Sequence, residues 1–322
     1  MKFAILAAGN IANCMAEAIS GIDKIEKYAV ACRELSRAKA FAEKWGFTRA
    51  YGSYEEMLED PEVELVYVAS PHSHHYVHTK MCLEHGKHVL VEKAFTVNAI
   101  QARELIEMAE EKGLLLTEAI WTRYMPSRKM IDDLVESGVI GKVTSLTANL
   151  GYVLPHVERL QKPELAGGAL LDLGVYPINF AMMVFHESVE KVTSCAVMSP
   201  LGIDWTNSIT LTFSSGVMAV LHSNMLAQTD RQGVINGEKG YLEVQNINNC
   251  EEIRVFDLDR KMTASYRVQE QINGYEYEVL ACIEAIEAGK TECREMPHSE
   301  TLRVMELMDD IRREWGMKFP CE

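Results

Sequence analysis

The sequence predicts an α/β protein of two domains, a doubly wound parallel sheet followed by a second α/β domain built on a mainly antiparallel sheet. Residues 1–120 alternate short apolar runs with longer amphipathic ones, which is the rhythm of βαβ units. Beyond residue 120, long β-rich runs joined by Gly-bearing turns indicate antiparallel pairing. At 322 residues the chain also exceeds the usual size of one hydrophobic core. We therefore assign residues 1–120 to the first domain and residues 121–322 to the second.

The first domain contains five predicted strands, which read as continuous apolar runs typical of strands buried on both faces. In order, they are KFAILAA, KYAVACR, LVYVAS, KHVLVEK and LLLTEA. Four helical stretches lie between them, namely SRAKAFAEKWG, SYEEMLEDP, HYVHTKMCLEHG and NAIQARELIEMAEEKG. Glycines stand where a left-handed residue would end a helix.

The second domain begins with a helix in WTRYMPSRKMIDDLVESGVIGKV, after which the period changes from helical to β. The predicted strands lie in VTSLTANLGYV, VEKVTSCAVM, SITLTFSSGVMAVLHSNM and GVINGEKGYLEVQN. Helices are predicted in DLGVYPINFAMMVFH, GYEYEVLACIEAIEAGK and HSETLRVMELMDDIRREWG. No internal repeat and no Pro-, Gly- or Ser-rich linker separates the two parts.

Composition argues against several kinds of binding partner. The net charge of −15 disfavours nucleic acid and anionic membranes as partners, because both attract clustered Lys and Arg. We see no apolar stretch approaching the ~20 residues that cross a bilayer. The eight cysteines form no C-x-x-C pair, several stand in apolar runs, and the start of the chain is a poor signal peptide. We therefore expect a cytoplasmic protein with no nucleic-acid or membrane partner.

The first strand runs into LAAGNIA, where a dinucleotide-binding unit carries G-x-G-x-x-G/A. Ala7, Gly9 and Ala12 occupy the three positions, so only the middle glycine, which lets the backbone approach a pyrophosphate, is retained. A strand–Gly–helix junction also occurs in folds that bind no nucleotide. The turn alone is therefore a weak signal of dinucleotide binding.

The end of the second strand decides between NAD and NADP. An acidic residue at this point binds the ribose hydroxyls of NAD, whereas an Arg accommodates the 2′-phosphate of NADP. Arg33 stands there, with Ser36 and Arg37 able to add a hydroxyl and a second cation. Glu34 keeps NAD open, and Ser36 could instead be a helix N-cap beside an exposed Arg37. We expect NADP (NADPH), with NAD the less favoured cofactor.

Two opposite charges, Glu92 and Lys93, follow the apolar strand HVLV. A surface loop would explain them, but in open α/β sheets the carboxyl ends of strands face the ligand crevice. The segment SPHSHHYVHTK, after the preceding strand, faces the same crevice and carries four His residues. His74 and His78 have the i, i+4 spacing of a metal pair, yet no further ligand completes a tetrahedral set, so no metal is expected.

Four segments in this order, LAAGNIA, VEKAFTVNA, EAIWTRYMP and GGALLDLGVYPIN, resemble the glucose-fructose oxidoreductase and inositol dehydrogenase (Gfo/Idh/MocA) family. Within it, the last two segments are most similar to the dimeric dihydrodiol dehydrogenase branch, with D-xylose dehydrogenases as near relatives. The resemblance covers nearly the whole chain. It implies a Rossmann domain, and a C-terminal α/β domain whose large open sheet often forms a homodimer interface.

The resemblance also implies roles for particular residues. Lys93, Asp172 and Tyr176 correspond to the catalytic positions, and Ala94 replaces the Pro of the family's E-K-P turn. The implied cofactor contacts are Gly9, Asn10, Ile11, Arg33, Ser36, Arg37, Ser70, His75, Glu92, Lys93 and Trp121. The implied substrate contacts are His72, Lys93, Trp121, Asp172 and Tyr176. His74 and His78 are expected to be solvated. The alternative for Trp121 is a core residue at the domain boundary.

Asp172 and Tyr176 are spaced i and i+4, so on a helix both point to one side. From the residues alone, Asp172 could be a helix N-cap and Tyr176 a packed aromatic. In the catalytic interpretation Tyr176 is the acid/base, and Lys93 lowers the phenol pKa from its usual ~10. The expected activity is NADP-dependent oxidation of a secondary alcohol of a sugar, cyclitol or dihydrodiol. A non-catalytic NADP(H) sensor is the alternative, and a metal-dependent hydrolase is a remote third.

Overall fold

The computed structural model describes all 322 residues, and the chain divides into two compact units. The first comprises Met1–Tyr124 and Gln271–Glu306, and the second comprises Met125–Glu270 and Leu307–Glu322. We expected one boundary after residue 120, but the first unit extends to Tyr124 and the chain returns to it. The return is held on a strand of the first unit, because the Leu116 amide donates to Thr291 O at 3.0 Å. A change of period along the sequence cannot reveal such a return.

The first unit is built on a parallel sheet, as predicted, which has six strands rather than the five predicted. Its strands are β1 (Lys2–Leu6), β2 (Glu26–Ala31), β3 (Arg49–Tyr51), β4 (Leu65–Val68), β5 (His88–Glu92) and β6 (Leu116–Ala119). They lie in the order β3-β2-β1-β4-β5-β6, so the order reverses between β1 and β4. Ligands bind outside the carboxyl ends of strands at such a switch point.

Helices connect the strands of the first unit. They are α1 (Asn10–Ala18), α2 (Leu35–Trp45), α3 (Tyr54–Glu59), α4 (His72–Glu84) and α5 (Ala99–Lys112). Asn98 caps α5 by accepting the Gln101 amide at 2.9 Å. Gly46 and Gly113 end α2 and α5 at φ +76° and +65°, the left-handed conformation that glycine adopts without strain. Sequence-local caps therefore fix the ends of the helices that flank the sheet.

The second unit contains an eight-stranded sheet. Helix α6 (Pro126–Glu136) leads into β7 (Val143–Gly151), and a helical segment over residues 170–184 includes α7 (Val175–Val184). The other strands are β8 (Val189–Met198), β9 (Asp204–Phe213), β10 (Met218–Asn224), β11 (Gly233–Gly237), β12 (Gly240–Gln245), β13 (Glu252–Asp257) and β14 (Met262–Arg267). All neighbours are antiparallel except β7 and β10, so the prediction of a mainly antiparallel sheet is confirmed.

Two further helices follow the sheet, α8 (Glu276–Glu287) and α9 (His298–Glu314). One helical region, Pro163–Val184, is long and apolar enough to cross a membrane by length and composition, with a mean hydropathy of 1.3. We had expected no such stretch. Its most apolar part is 94% buried inside the fold.

Candidate active site

The turn between β1 and α1 has the form of a dinucleotide-binding turn. Ala7 stands at the first glycine position with φ +75°, a conformation that glycine favours. Gly9 is the N-cap residue of α1 and is exposed, with φ −94°. A Cβ added at Gly9 would meet no protein atom within 4 Å. The fold itself therefore does not require glycine here, whereas a pyrophosphate at the amino end of α1 would.

Replacing Gly9 by Ala tests the interpretation of this turn as a dinucleotide-binding turn. We expect the free energy of unfolding to fall by less than about 1 kcal/mol, since the methyl group has space and only the N-cap preference is lost. Affinity for NADPH should fall roughly 10-fold or more, because the methyl group would occupy the approach of the pyrophosphate. Thermal unfolding and a nucleotide fluorescence titration measure the two effects. An unchanged dissociation constant would contradict the reading.

The predicted phosphate-binding residues lie at the carboxyl end of β2. Arg33, Ser36 and Arg37 are all exposed. Ser36 is not the N-cap that we considered, because α2 begins at Leu35 and Glu34 occupies the N-cap position. The Arg37 Nη2 donates to Ala8 O in the β1–α1 turn at 3.5 Å. One of the two candidate cations therefore contacts the turn that would bind the pyrophosphate.

The histidine-rich segment is helical rather than a loop, because α4 begins at His72. His75 is fully buried, with Nε2 at 2.8 Å from Ser70 O and Nδ1 at 2.8 Å from Ala94 O. It thus ties the segment after β4 to the turn after β5. His72 is also buried, and its ring lies edge-on to that of His75 at a centroid separation of 5.6 Å.

The expectation that His74 and His78 are solvated is wrong for His78. Its side chain is buried against Tyr54, with ring centroids 4.9 Å apart, and burial lowers its pKa to about 4. His74 is half-buried, and burial followed by the charge of Arg33 lowers its pKa. No group of three or more His, Cys, Asp or Glu side chains is arranged to hold a metal ion.

The charged pair at the end of β5 is arranged by hydrogen bonds. Tyr67 on β4 donates its hydroxyl to Glu92, which is buried and also accepts the Lys93 amide at 3.2 Å. Lys93 is half-buried, and the peptide bond between Lys93 and Ala94 is cis. These contacts place Lys93 at the carboxyl edge of the parallel sheet, one strand from the switch point.

Sequence reasoning missed two buried carboxylates near this edge. Glu118, on β6, accepts the Phe95 amide at 3.0 Å, and burial raises its pKa to about 7 while the charges of Arg123 and Lys93 oppose the rise. Glu278, on α8, is fully buried without a hydrogen-bond partner for either oxygen, and burial raises its pKa. The charge of Glu92 raises both pKa values further. The sequence signal for Glu118 is its place as a charged residue inside the apolar run LLLTEA. No signal distinguishes Glu278 from the acids on the surface of a helix.

Trp121 and Tyr275 form one aromatic stack in the first unit. Their ring centroids lie 4.2 Å apart with planes 10° from parallel. Trp121 is 7% exposed, which is the burial of a core residue, and its contact with cofactor and substrate stays a prediction. Tyr275 directly precedes α8 and is half-buried. The stack orders a planar surface at the end of the segment that follows β6.

Asp172 and Tyr176 lie on the helical segment of the second unit. A π-helical turn, Leu170–Gly174, carries Asp172 and continues into α7, which carries Tyr176. Both side chains are buried, at 6% and 7% exposure. Ala169 and Gly174 occupy the N-cap positions and Asp172 lies within the helical segment, so the N-cap interpretation is wrong. The Arg159 Nη2 donates instead to Asp172 Oδ1 at 3.0 Å, a contact that the sequence did not suggest.

The structure therefore groups the predicted residues into two sets. The β1–α1 turn, the Arg33 region, His75, Lys93 and Trp121 lie in the first unit, around the carboxyl edge of the parallel sheet. Asp172 and Tyr176 lie together on one helical segment of the second unit. The first set has the donors and the exposed backbone that a dinucleotide needs. The second set pairs a carboxylate with a phenol, as acid/base chemistry on a hydroxyl requires.

Comparison with known proteins identifies the family. Residues 1–120 match the model described as oxidoreductase family, NAD-binding Rossmann fold, and residues 129–243 match the GFO/IDH/MocA C-terminal domain. Trans-1,2-dihydrobenzene-1,2-diol dehydrogenase of Mus musculus is 32% identical over 328 residues, covering 99% of this chain and 98% of the relative. The chain belongs to the GFO/IDH/MocA oxidoreductase family. The same dehydrogenase of Xenopus tropicalis is 33% identical over 99% of both chains, which supports the dihydrodiol dehydrogenase branch.

Solved structures agree with this assignment. A 3-ketoreductase from Actinomadura kijaniata, in complex with NADP and TDP-benzene, is similar with a TM-score of 0.89 and 26% identity over 97% of both chains. Levoglucosan dehydrogenase, in complex with NADH and L-sorbose, shares the fold with a TM-score of 0.88 at 16% identity. The chain is therefore an NAD(P)-dependent oxidoreductase that acts on CH–OH groups, with an NAD(P)-binding Rossmann domain.

Proposed function

We propose that this protein is an NADP-dependent dehydrogenase or reductase of a secondary alcohol or ketone in a trans-dihydrodiol, sugar or cyclitol, with Tyr176 as the acid/base. The observation that carries the proposal is the full-length similarity to enzymes named trans-1,2-dihydrobenzene-1,2-diol dehydrogenase. The buried pairing of Asp172 and Tyr176 on one helical segment supports it. A protein that only sensed NADP(H) would have no need of such a pair.

The nicotinamide ring, when bound, accepts or donates the hydride. The protein's own task is then to move the hydroxyl proton and to hold the substrate. In our proposal the phenol of Tyr176 exchanges that proton, and Asp172 accepts a hydrogen bond from a substrate hydroxyl. The ammonium of Lys93 assists by favouring the phenolate of Tyr176 and by donating to the reacting oxygen. The other proposed substrate contacts are His72 and Trp121. The proposed cofactor contacts include Ser70, Asn10, Ile11 and Glu92.

NADP is the proposed cofactor because the guanidinium groups of Arg33 and Arg37 are exposed after β2, and that of Arg37 contacts the β1–α1 turn. Replacing Arg33 by Ala should weaken NADPH binding about 10- to 100-fold, the range that a charge-assisted hydrogen bond supports, and leave NADH binding nearly unchanged. Lys39→Ala is the matched control, since Lys39 is exposed on α2, the helix that follows Arg33, and its loss changes the net charge equally. Tighter binding of NADH than of NADPH by the wild type would contradict the NADP proposal.

A homodimer through the open face of the eight-stranded sheet is part of the proposal. Val220, in the middle of β10, is 42% exposed and is paired with Thr147 and Thr210 on the neighbouring strands. The outward-facing side chains next to it on β7, β9 and β10 include no acid, Lys or Arg. Met218 is exposed, and the half-buried ones include Asn149, Ser208, Thr212 and His222. Depletion of charge at the centre of a surface is typical of an interface core.

Replacing Val220 by Glu should convert the protein to a monomer, because the substitution buries an unpaired carboxylate in a two-fold contact. Val139→Glu is the control, since Val139 is 44% exposed and lies outside the sheet. Light scattering after size-exclusion chromatography measures the mass of both variants. A monomeric wild type would contradict the dimer, and so would a Val220→Glu protein of unchanged mass.

A further inference from the structure

Arg159 is the residue beside the candidate site that neither the sequence nor the family resemblance pointed to. Its Nη2 donates to Asp172 Oδ1 at 3.0 Å. The side chain of Asp172 is 8% exposed, whereas that of Arg159 is 42% exposed. A buried carboxylate remains charged only where it has a partner. The guanidinium therefore favours the ionised form of Asp172 and fixes one of its oxygens.

A tight turn holds Arg159 in this position. The residue belongs to the 3₁₀ turn Glu158–Gln161, in which Leu160 is buried. The amide of Gly168 donates to Leu160 O at 3.0 Å, and a Cβ on Gly167 would lie only 2.5 Å from the same oxygen. The glycines of GGALLDLG thus allow the turn to pack directly against the start of the helical segment that carries Asp172.

The start of that segment is itself anchored. Asp204 is fully buried, and its Oδ2 accepts the Asn207 side-chain amide at 2.8 Å. A Cβ on Gly168 would lie 2.5 Å from Asp204 Oδ1. The backbone amides of Ala169 and Leu170 favour the charged form of Asp204, although burial is the larger influence and raises its pKa to about 6. Arg159 and Asp172 therefore stand on two pieces of backbone that pack rigidly together.

The pair offers two neighbouring and complementary groups. Arg159 uses one of its five N–H donors on Asp172, and much of the guanidinium is accessible. Asp172 is an acceptor, so a hydroxyl that donates to the carboxylate would bring an adjacent oxygen of the same molecule toward the guanidinium. We propose that Arg159 is a specificity-determining residue which, with Asp172, selects substrates that carry a second oxygen next to the reacting carbinol. This inference rests on the proposed function.

A matched pair of alcohols tests the inference. Trans-cyclohexane-1,2-diol and cyclohexanol differ by one hydroxyl, and kcat/KM for NADP⁺ reduction is measured with each. For the wild type we expect a preference for the diol of about 10- to 100-fold, the range set by one hydrogen bond to a charged group. Arg159→Met should remove this preference by lowering kcat/KM for the diol, with cyclohexanol changed less than about 3-fold. Arg159→Lys should retain part of the preference, since it keeps the charge and loses the planar fork.

Lys162→Met is the control variant, because Lys162 lies just after the same turn, is 40% exposed and pairs with Glu158 rather than with Asp172. It should leave the preference unchanged. Equal losses for both alcohols in Arg159→Met would indicate a merely structural role and overturn the inference, as would an unchanged preference. If the Met variant fails to fold, as judged by its melting temperature, Arg159→Lys carries the same comparison.

A binding measurement separates this inference from the proposed function. At saturating NADP⁺, the diol should raise the melting temperature of the wild type more than cyclohexanol does, and Arg159→Met should abolish the difference. A wild type that oxidises neither alcohol contradicts the proposed function for this substrate class. The thermal shifts then still decide the role of Arg159, because equal shifts in the wild type and in Arg159→Met overturn it.

Discussion

Replacing Tyr176 by Phe should lower kcat about 10²- to 10⁴-fold, the usual contribution of a positioned acid or base. The phenylalanine keeps the packing of a side chain that is 7% exposed and removes only the hydroxyl. Lys93→Met should lower kcat within a similar range, because it removes the cation that favours the phenolate. Neither change should alter the dissociation constant for NADPH by more than a few-fold. Steady-state kinetics and a fluorescence titration on the same preparations measure the two quantities.

Two control variants keep this experiment specific. Tyr241→Phe removes a hydroxyl from a tyrosine on β12 that stacks on Phe256, and Lys112→Met removes a cation from the last turn of α5. Both should retain wild-type turnover. If Tyr176→Phe and Lys93→Met also turn over at nearly the wild-type rate, the proposed acid/base assignment is wrong. A loss in one variant alone would assign the proton transfer to that residue.

Glu118 should make the protein less stable as the pH rises from about 4.5 to 7. Burial raises the folded-state pKa of this carboxyl from 4.5 to about 7, so within this window the folded state binds more protons than the unfolded state. This pKa shift corresponds to a loss of unfolding free energy of the order of 3 kcal/mol, which is complete above the folded-state pKa. The difference in unfolding free energy between Glu118→Gln and the wild type should therefore grow by about 2–3 kcal/mol in favour of the variant between about pH 4.5 and pH 8.

Chemical denaturation of both proteins across this pH range measures the difference. Glu118 Oε2 has no hydrogen-bond partner, so the amide of the variant carries a fixed energetic cost. That cost is the same at every pH and therefore cancels in the change of the difference with pH. Glu107→Gln is the control, since Glu107 is exposed on α5, and its difference should be small at every pH. A Glu118→Gln difference that stays constant with pH would mean that Glu118 does not titrate in this window.

The titration of His78 changes the stability with pH in the opposite direction, so its effect must be separated from that of Glu118. Its pKa is lowered to about 4, so the unfolded state binds the extra proton and stability falls as the pH drops below about 6.5. Both proteins in the Glu118 comparison contain His78, and its contribution cancels. The wild-type profile alone would mix the two effects, which is why the prediction concerns the difference between variants.

The sheets could be predicted from the sequence wherever one pattern dominated. The runs around β1, β2, β4, β5 and β6 are continuously apolar because helices cover both faces of the parallel sheet. β3 was missed because it has only three residues, one exposed and two half-buried, at an edge of the sheet. β13 was missed although its buried residues Ile253 and Val255 alternate with polar ones, which is the period of a strand. β14 was missed because it lies at the edge of the second sheet and exposes nearly every side chain. A strand without a buried face carries no period that a sequence can display.

The candidate site could be predicted only in part. Glu92, Lys93, Asp172 and Tyr176 stood in segments that resemble a family, and the structure locates them on a strand end and a buried helical segment. Arg159 could not be found in this way, because its contact with Asp172 depends on a turn that packs through two glycines. Glu278 is one of several acids in GYEYEVLACIEAIEAGK, and only the packing of α8 shows that it is fully buried. A local sequence pattern does not reveal contacts made by loops or by segments that return to a unit later in the chain.

The most direct test of the central proposal is the rate at which the wild type and Tyr176→Phe reduce NADP⁺ with trans-dihydrodiol, sugar and cyclitol substrates, followed by the absorbance of the reduced nicotinamide. We predict turnover by the wild type with at least one of these alcohols, and a roughly 10²- to 10⁴-fold lower rate for Tyr176→Phe. Tight binding of NADPH without turnover of any of them would contradict the enzyme and favour an NADP(H) sensor. Equal rates in the two proteins would leave an oxidoreductase whose acid/base is not Tyr176.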